Sequence, residues 1–241
     1  MPTELLPQPP PGVPAPPPGE QARKSRRKFR WIIGLGLGSL VLLGLWEVVT
    51  SMLLTSRKSP NLVTATSNAR QIGQALLEFE NQYSKFPDAT TAALVQAETG
   101  STWTLSEATS NDLFQQLIVS GIALSEEIFY AKTPWTRKAD NLFTTESQAL
   151  ATRECSFAYI AGLSAKDDPS TPICVTPLEP GKLTFDRNSI EGNRAIILCV
   201  DQRCLILPID PSGRAILNGM DLFDPRQPFW HGKAPNVKWP K

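Results

Sequence analysis

ARQIGQALLEFENQYSKFPD, residues 69–88, decides the architecture. Ile72, Ala75, Leu76, Phe79, Tyr83 and Phe86 recur at spacings of three and four, which gathers them on one face of an α-helix. Arg70, Gln71, Gln74, Glu78, Glu80, Asn81 and Gln82 fill most of the other face. Such a stripe has to be covered by another element of the same domain, so Ile72, Leu76, Phe79, Tyr83 and Phe86 are expected core residues. Thr66, Ser67 or Asn68 is placed to cap the start. Pro87 is expected to end the helix, because the residue before a proline is pushed away from helical angles.

Upstream, the chain changes character three times. Residues 1–22 are dense in proline, nine in the first twenty positions, with few apolar side chains; this predicts a solvated cytoplasmic tail with polyproline II character. Residues 23–30, RKSRRKFR, carry six basic side chains. Residues 31–54, WIIGLGLGSLVLLGLWEVVTSMLL, carry only Glu47 as a charge. At a helical rise of about 1.5 Å per residue they reach roughly 36 Å, enough to span a hydrocarbon core. Only Arg57 and Lys58 flank the far side closely. The asymmetry predicts a single-pass inner-membrane helix with a cytoplasmic N-terminus and a periplasmic body at 60–241. The run lacks an Ala-x-Ala cleavage pattern, so its retention is expected. Gly34 and Gly38 form a GxxxG, a face for close helix–helix packing in a bilayer. Pro60 is expected to interrupt the helix between this run and residue 69.

Charge is partitioned in the same way. Residues 1–58 carry eight Lys/Arg against three Glu, a net of +5; the remainder carries 16 against 20, a net of −4. A mildly acidic body excludes the basic footprint of a nucleic-acid binder. The expected partners are the lipid bilayer and other membrane or envelope proteins, further copies of this chain among them.

A basic edge, one span, and a helix carrying Ala75-Leu76, Phe79 and Phe86-Pro87 resembles the type II secretion pseudopilins, the major, G-type one above all. It resembles still more the proline-rich, single-span pilin-like membrane proteins of Verrucomicrobia and Planctomycetes. The resemblance implies a helix packed on a small antiparallel sheet, and a structural or assembly role in the cell envelope, linked to a secretion-type apparatus. The glycines at 34, 36, 38 and 44 are followed by Leu or Ser, so the family's processing site is not present.

The rest of the body reads as helices, then strands. A short helix is expected from Asp88 to Thr99, stopped by Gly100. A second follows in SNDLFQQLIVSG, with Ser110 as cap and Gly121 as terminator, and Ser125 caps a further turn. From residue 154 the runs SFAYIAG, TPICVTPL, KLTF, RAIILCV and CLILPI read as strands, with DPSG at 210–213 a type I turn. The fold class is α+β with an antiparallel sheet. The closing PFWHGKAPNVKWPK is expected to drape over that sheet.

Cys155, Cys174, Cys199 and Cys204 all fall in the outer body. Disulfides, free buried thiols and a metal site are the three readings, and an oxidising compartment favours the first. With Asp201-Gln202 as a two-residue turn, Cys199 would face Cys204 within disulfide range, leaving Cys155 for Cys174. Zinc ligation has no CxxC and a single histidine, His231, to draw on. That histidine is also the only candidate base for a triad, and Asp167-Asp168 in KDDPST reads as a turn. The G-type resemblance implies a calcium site, to which Asp201, Asp210, Asp221 and Asp224 could contribute, but no ligand loop matches well enough to assign it. Neither catalytic residues nor a cofactor are assigned. The main functional expectation is therefore a scaffold, with an anchored ligand- or polymer-binding module using the aromatic tail as the alternative.

Overall fold

The computed structural model describes residues 60–241. The expected tail, basic segment, span at 31–54 and the Gly34/Gly38 face lie outside the described residues. Among the described residues no helix is long and apolar enough to cross a membrane.

The element order is α1 (Pro60–Tyr83), α2 (Ala89–Thr99), α3 (Ser110–Val119), a 3-10 turn (Glu126–Phe129), then β1 (Ala158–Ile160), β2 (Pro172–Thr176), β3 (Arg194–Cys199) and β4 (Cys204–Pro208). The short β5 (Ile216–Leu217) and β6 (Met220–Asp221), a second 3-10 turn (Pro228–Trp230) and β7 (Val237–Lys238) complete it. The domain is α+β, and its main sheet runs β4-β3-β2-β1-β7, antiparallel throughout.

α1 is longer than its stripe suggested. Pro60 is its first described residue, and the expected interruption between the apolar run and this helix lies outside the described residues. Thr66, Ser67 and Asn68 are inside the helix instead of capping it. Thr66 Oγ1 bonds back to the Leu62 carbonyl at 2.7 Å. Asn68 Nδ2 donates to the carbonyls of Glu127 and Tyr130, at 2.7 Å each, and so ties α1 to the 3-10 turn. At the other end the helix stops at Tyr83, ahead of Pro87: Ser84 takes a left-handed conformation, φ 64°, and its N–H closes on the Glu80 carbonyl. Phe86 therefore lies beyond the helix, yet it is buried with the stripe in the same apolar cluster.

α2 begins at a capping box. The Asp88 carboxylate accepts from the N–H groups of Thr90 and Thr91, Thr91 Oγ1 accepts from the Asp88 N–H, and Gly100 closes the other end at φ 67°. α3 uses Thr109 as its cap, one residue before Ser110, because Thr109 can complete a reciprocal box with Asp112.

The sheet separates two apolar clusters, and strand alternation sorts side chains between them. Phe157, Tyr159, Ala161, Ile196 and Leu198 face the helices, with Ile72, Leu76 and Phe79 of α1 in the same cluster. Ala158, Ile160, Val175, Ala195 and Ile197 face the opposite way, toward Phe185, Leu222, Phe223, Phe229 and Trp230. Residues 195–199 of β3 are thus buried on both faces, which explains the unbroken AIILC. A β-bulge in β2 lets Ile173 and Cys174 both join the helix-side cluster. KLTF contributes only an isolated bridge, Leu178 to Phe185. The closing segment does more than drape: Val237–Lys238 pairs antiparallel with β1 and extends the sheet.

Candidate functional site

α1 is fixed to the sheet along most of its length. Ala65, Ala69, Ile72, Ala75, Leu76, Phe79 and Tyr83 are all buried, so nineteen residues, roughly 27 Å of helix, are held by packing. At Gly73 the helix passes so close to the β3–β4 turn that a Cβ would fall 2.1 Å from Gln202 Oε1 and 3.2 Å from Leu198 Cδ1. Arg70, Gln71, Gln74, Glu78, Asn81 and Gln82 remain exposed along the outer face.

The four cysteines are free thiols. Cys199 cannot meet Cys204, contrary to the expected pair. The β3–β4 connection is a three-residue loop: Gln202 N–H bonds the Cys199 carbonyl, Gln202 is left-handed at φ 68°, and Cys199 pairs with Arg203. Leu198, not Cys199, is opposite Cys204. That shift of one residue places the two thiols on opposite faces, Cys199 in the cluster beneath the C-terminal segment and Cys204 against the helix-side cluster. Cys155 and Cys174 do share the helix-side cluster, where Cys155 Sγ hydrogen-bonds the Phe157 carbonyl at 3.5 Å. Burial pushes Cys155 and Cys199 up to about 12, Cys204 up to about 11 and Cys174 well above the ordinary thiol range. Thiolate chemistry at neutral pH is thereby suppressed.

These thiols make a direct prediction. Trypsin cuts after Arg203, between Cys199 and Cys204, so a disulfide joining them would appear in the unreduced digest as two linked peptides. None is expected. In the native chain maleimide should modify Cys204, the only half-buried thiol, well before the other three. A linked 199–204 peptide pair would overturn the hairpin register.

The remaining polar candidates have structural partners. His231 is exposed, left-handed at φ 49°, and caps the second 3-10 turn; its ring has no carboxylate or hydroxyl partner among the described residues. Asp167 accepts from the Ser164 N–H and hydroxyl, and Asp168 from the Ser170 N–H, as turn residues do. Asp210 holds the DPSG turn through Ser212 and Arg214, and Asp224 pairs with Arg226; those hydrogen bonds hold each carboxyl down at about 2. Asp201 pairs with Arg203. Asp221 accepts from the Phe223 N–H and shares Arg214 with Asp210, so Asp201, Asp210, Asp221 and Asp224 all serve turns and ion pairs.

Open hollows occur at the surface. One of about 580 Å³ lies beside Asp112, Gln115 and Lys241. Burial alone would raise the Asp112 carboxyl, but hydrogen bonds from Lys241 and Thr109 outweigh it and hold the group below the usual carboxylate range. The Lys241–Asp112 contact, at 3.0 Å, fastens the closing segment to the start of α3, and nothing in the sequence spacing announces it. Another hollow, of about 330 Å³, is bordered by Arg203, Asp168 and Phe229. Trp230 is buried in the second cluster, with Nε1 donating to the Leu222 carbonyl, while Trp239 Nε1 donates to the Lys182 carbonyl. No family model, curated protein or solved structure matches the chain.

Proposed function

We propose that the chain is a single-pass, membrane-anchored structural and assembly protein of the bacterial cell envelope, with residues 60–241 forming a pseudopilin-like domain on the periplasmic side of the inner membrane. The supporting observation is α1, a helix gripped by its buried stripe from Ala65 to Tyr83 and packed against an antiparallel sheet. Five residues of sequence separate its first residue, Pro60, from the end of the apolar run at Leu54. A load applied at residue 60 would reach the sheet through close packing and not through a loose linker. The polar outer face of α1 and the exposed flank of the domain are the surfaces for envelope proteins or further copies of the chain, in a secretion-type or related assembly. No catalytic role is proposed. A ligand-binding role for the aromatic tail draws no support from Trp230, whose indole is closed inside the domain.

The reading is tested on full-length chain carrying an N-terminal and a C-terminal epitope in a bacterial host. The chain should stay in membranes through an alkaline carbonate wash. Trypsin added to intact spheroplasts should remove the C-terminal epitope and spare the N-terminal one. Lysine crosslinking of whole cells should shift the chain into discrete higher-mass adducts. Extraction by carbonate, or protection of the C-terminal epitope, would overturn the anchor and its orientation. A chain recovered solely as monomer would overturn the assembly role.

A further inference from the structure

Three carboxylates from separate segments converge beside the first 3-10 turn. Glu126 opens that turn, Asp140 lies in the loop after it, and Glu154 lies in the stretch leading to β1. One carboxylate oxygen of each lies within 4.8 Å of the other two. Glu126 and Glu154 are fully buried, at 0% exposure, while Asp140 is open to solvent.

Backbone N–H groups orient each carboxylate, and at Glu126 the Asn141 N–H acts beside that of Leu150. Leu150 donates to Glu126 Oε1, Leu142 to Asp140 Oδ1 at 2.9 Å, and Ala151 to Glu154 Oε2 at 2.9 Å. Glu126 Oε2, buried, has no partner. Glu154 Oε1 has an ion-pair contact, with Arg137 Nη2 at 3.0 Å, but no hydrogen-bond alignment. Arg137 is half-exposed, and the adjacent Lys138 is held by Glu127 at 2.8 Å. Three carboxylates against one guanidinium leave the cluster negative.

A buried carboxylate oxygen without a donor is costly, and like charges this close repel; folded chains resolve such a site with a proton or a metal ion. Oxygen donors alone, two of them rigidly placed, suit a hard cation. Oxygens on opposite sides of a calcium ion lie about 5 Å apart, and of a magnesium ion about 4 Å. The observed spread accommodates either, with water completing the shell through the open Asp140 side. We propose that Glu126, Asp140 and Glu154 form a binding site for a hard divalent cation, with Asp140 at its mouth. The ion ties the 3-10 turn to the 139–154 region that leads into the sheet.

The test uses full-length chain in detergent, stripped with EDTA and then dialysed against calcium, magnesium or manganese chloride. One ion per chain should be retained for at least one metal, with a rise in Tm of about 3 °C or more over the EDTA sample. Asp140→Asn, at an exposed position, should fold normally and lose most of that rise; Glu126→Gln should lose all of it. No retained ion and no rise with any of the three metals would overturn the proposal. So would a rise that both variants keep, which would place the ion elsewhere. If Glu126→Gln raises Tm in EDTA while the natural chain responds to no metal, a proton shared between the buried carboxyls occupies the site instead.

Discussion

Replacing Phe79 with alanine is expected to lower the unfolding free energy by about 3–5 kcal/mol, the cost of truncating a fully enclosed aromatic ring. Phe79 sits on the buried face of α1, at 0% exposure, with its ring centroid 4.5 Å from that of Tyr83. Its apolar cluster draws on all three helices and on the sheet, so no single neighbour can move in to fill the space. Two terms add: lost transfer of the ring from water, and the cavity left where close packing resists collapse. For a domain of this length the change corresponds to a fall in Tm of roughly 6–20 °C. Glu78, one position earlier and exposed, supplies the control: Glu78→Ala should stay within about 0.5 kcal/mol. Thermal unfolding of the two variants beside the natural chain checks both values. A Phe79→Ala loss below about 1 kcal/mol would mean that α1 is not clamped to the sheet, and the strut on which the proposed function rests would go with it.

That residue also marks what the sequence makes legible. The stripe from Ile72 to Tyr83 and the α2 boundaries at Asp88 and Gly100 are local signals, fixed by periodicity and by groups within four residues of one another. The start of α1 was hidden because Thr66, Ser67 and Asn68 look like caps. In the fold Asn68 answers two carbonyls some sixty residues away, which no local rule can anticipate. Thr109 and Ser110 are adjacent hydroxyl residues, and only the reciprocal bond from Asp112 decides between them. β7 is two residues among prolines and polar groups, and it is a strand because β1 offers it an open edge.

The candidate sites were less legible still, for a different physical reason. Whether Cys199 meets Cys204 depends on one residue of hairpin register, and Gln202, a residue with no marked preference for left-handed angles, carries the turn that sets it. The sequence shows the correct hairpin with the wrong pairing. Glu126, Asp140 and Glu154 sit fourteen residues apart in succession and share no motif; they meet because α1, the 3-10 turn and the approach to β1 pack together. Proximity of this kind is a tertiary property, whereas Asp210 and Asp224, more conspicuous in the sequence, turn out to satisfy their own turns.

Trp230→Ala is expected to be as damaging as Phe79→Ala, about 3–5 kcal/mol, and its pattern of rescue separates two roles for the aromatic tail. The indole is buried in the cluster on the far face of the sheet, meets Phe229 edge-on at 5.1 Å, and donates Nε1–H to the Leu222 carbonyl at 2.7 Å. Alanine removes the ring and orphans that carbonyl together. Phenylalanine restores most of the apolar volume but not the donor, so Trp230→Phe should recover part of the loss and remain about 1–2 kcal/mol below the natural chain. His231 next to it, exposed and left-handed, gives the contrast: His231→Gly relieves an unfavourable backbone conformation while adding freedom to the unfolded chain, and should stay within about 1 kcal/mol of the natural value. Urea unfolding of the three variants distinguishes the cases. If Trp230 served to hold an external ligand, its ring would be free to leave: Trp230→Ala would then unfold within about 0.5 kcal/mol of the natural chain, and phenylalanine would have nothing to rescue. A large loss with partial recovery by phenylalanine instead makes the tail the cover of the second core, holding the sheet in the shape against which α1 packs on the opposite face.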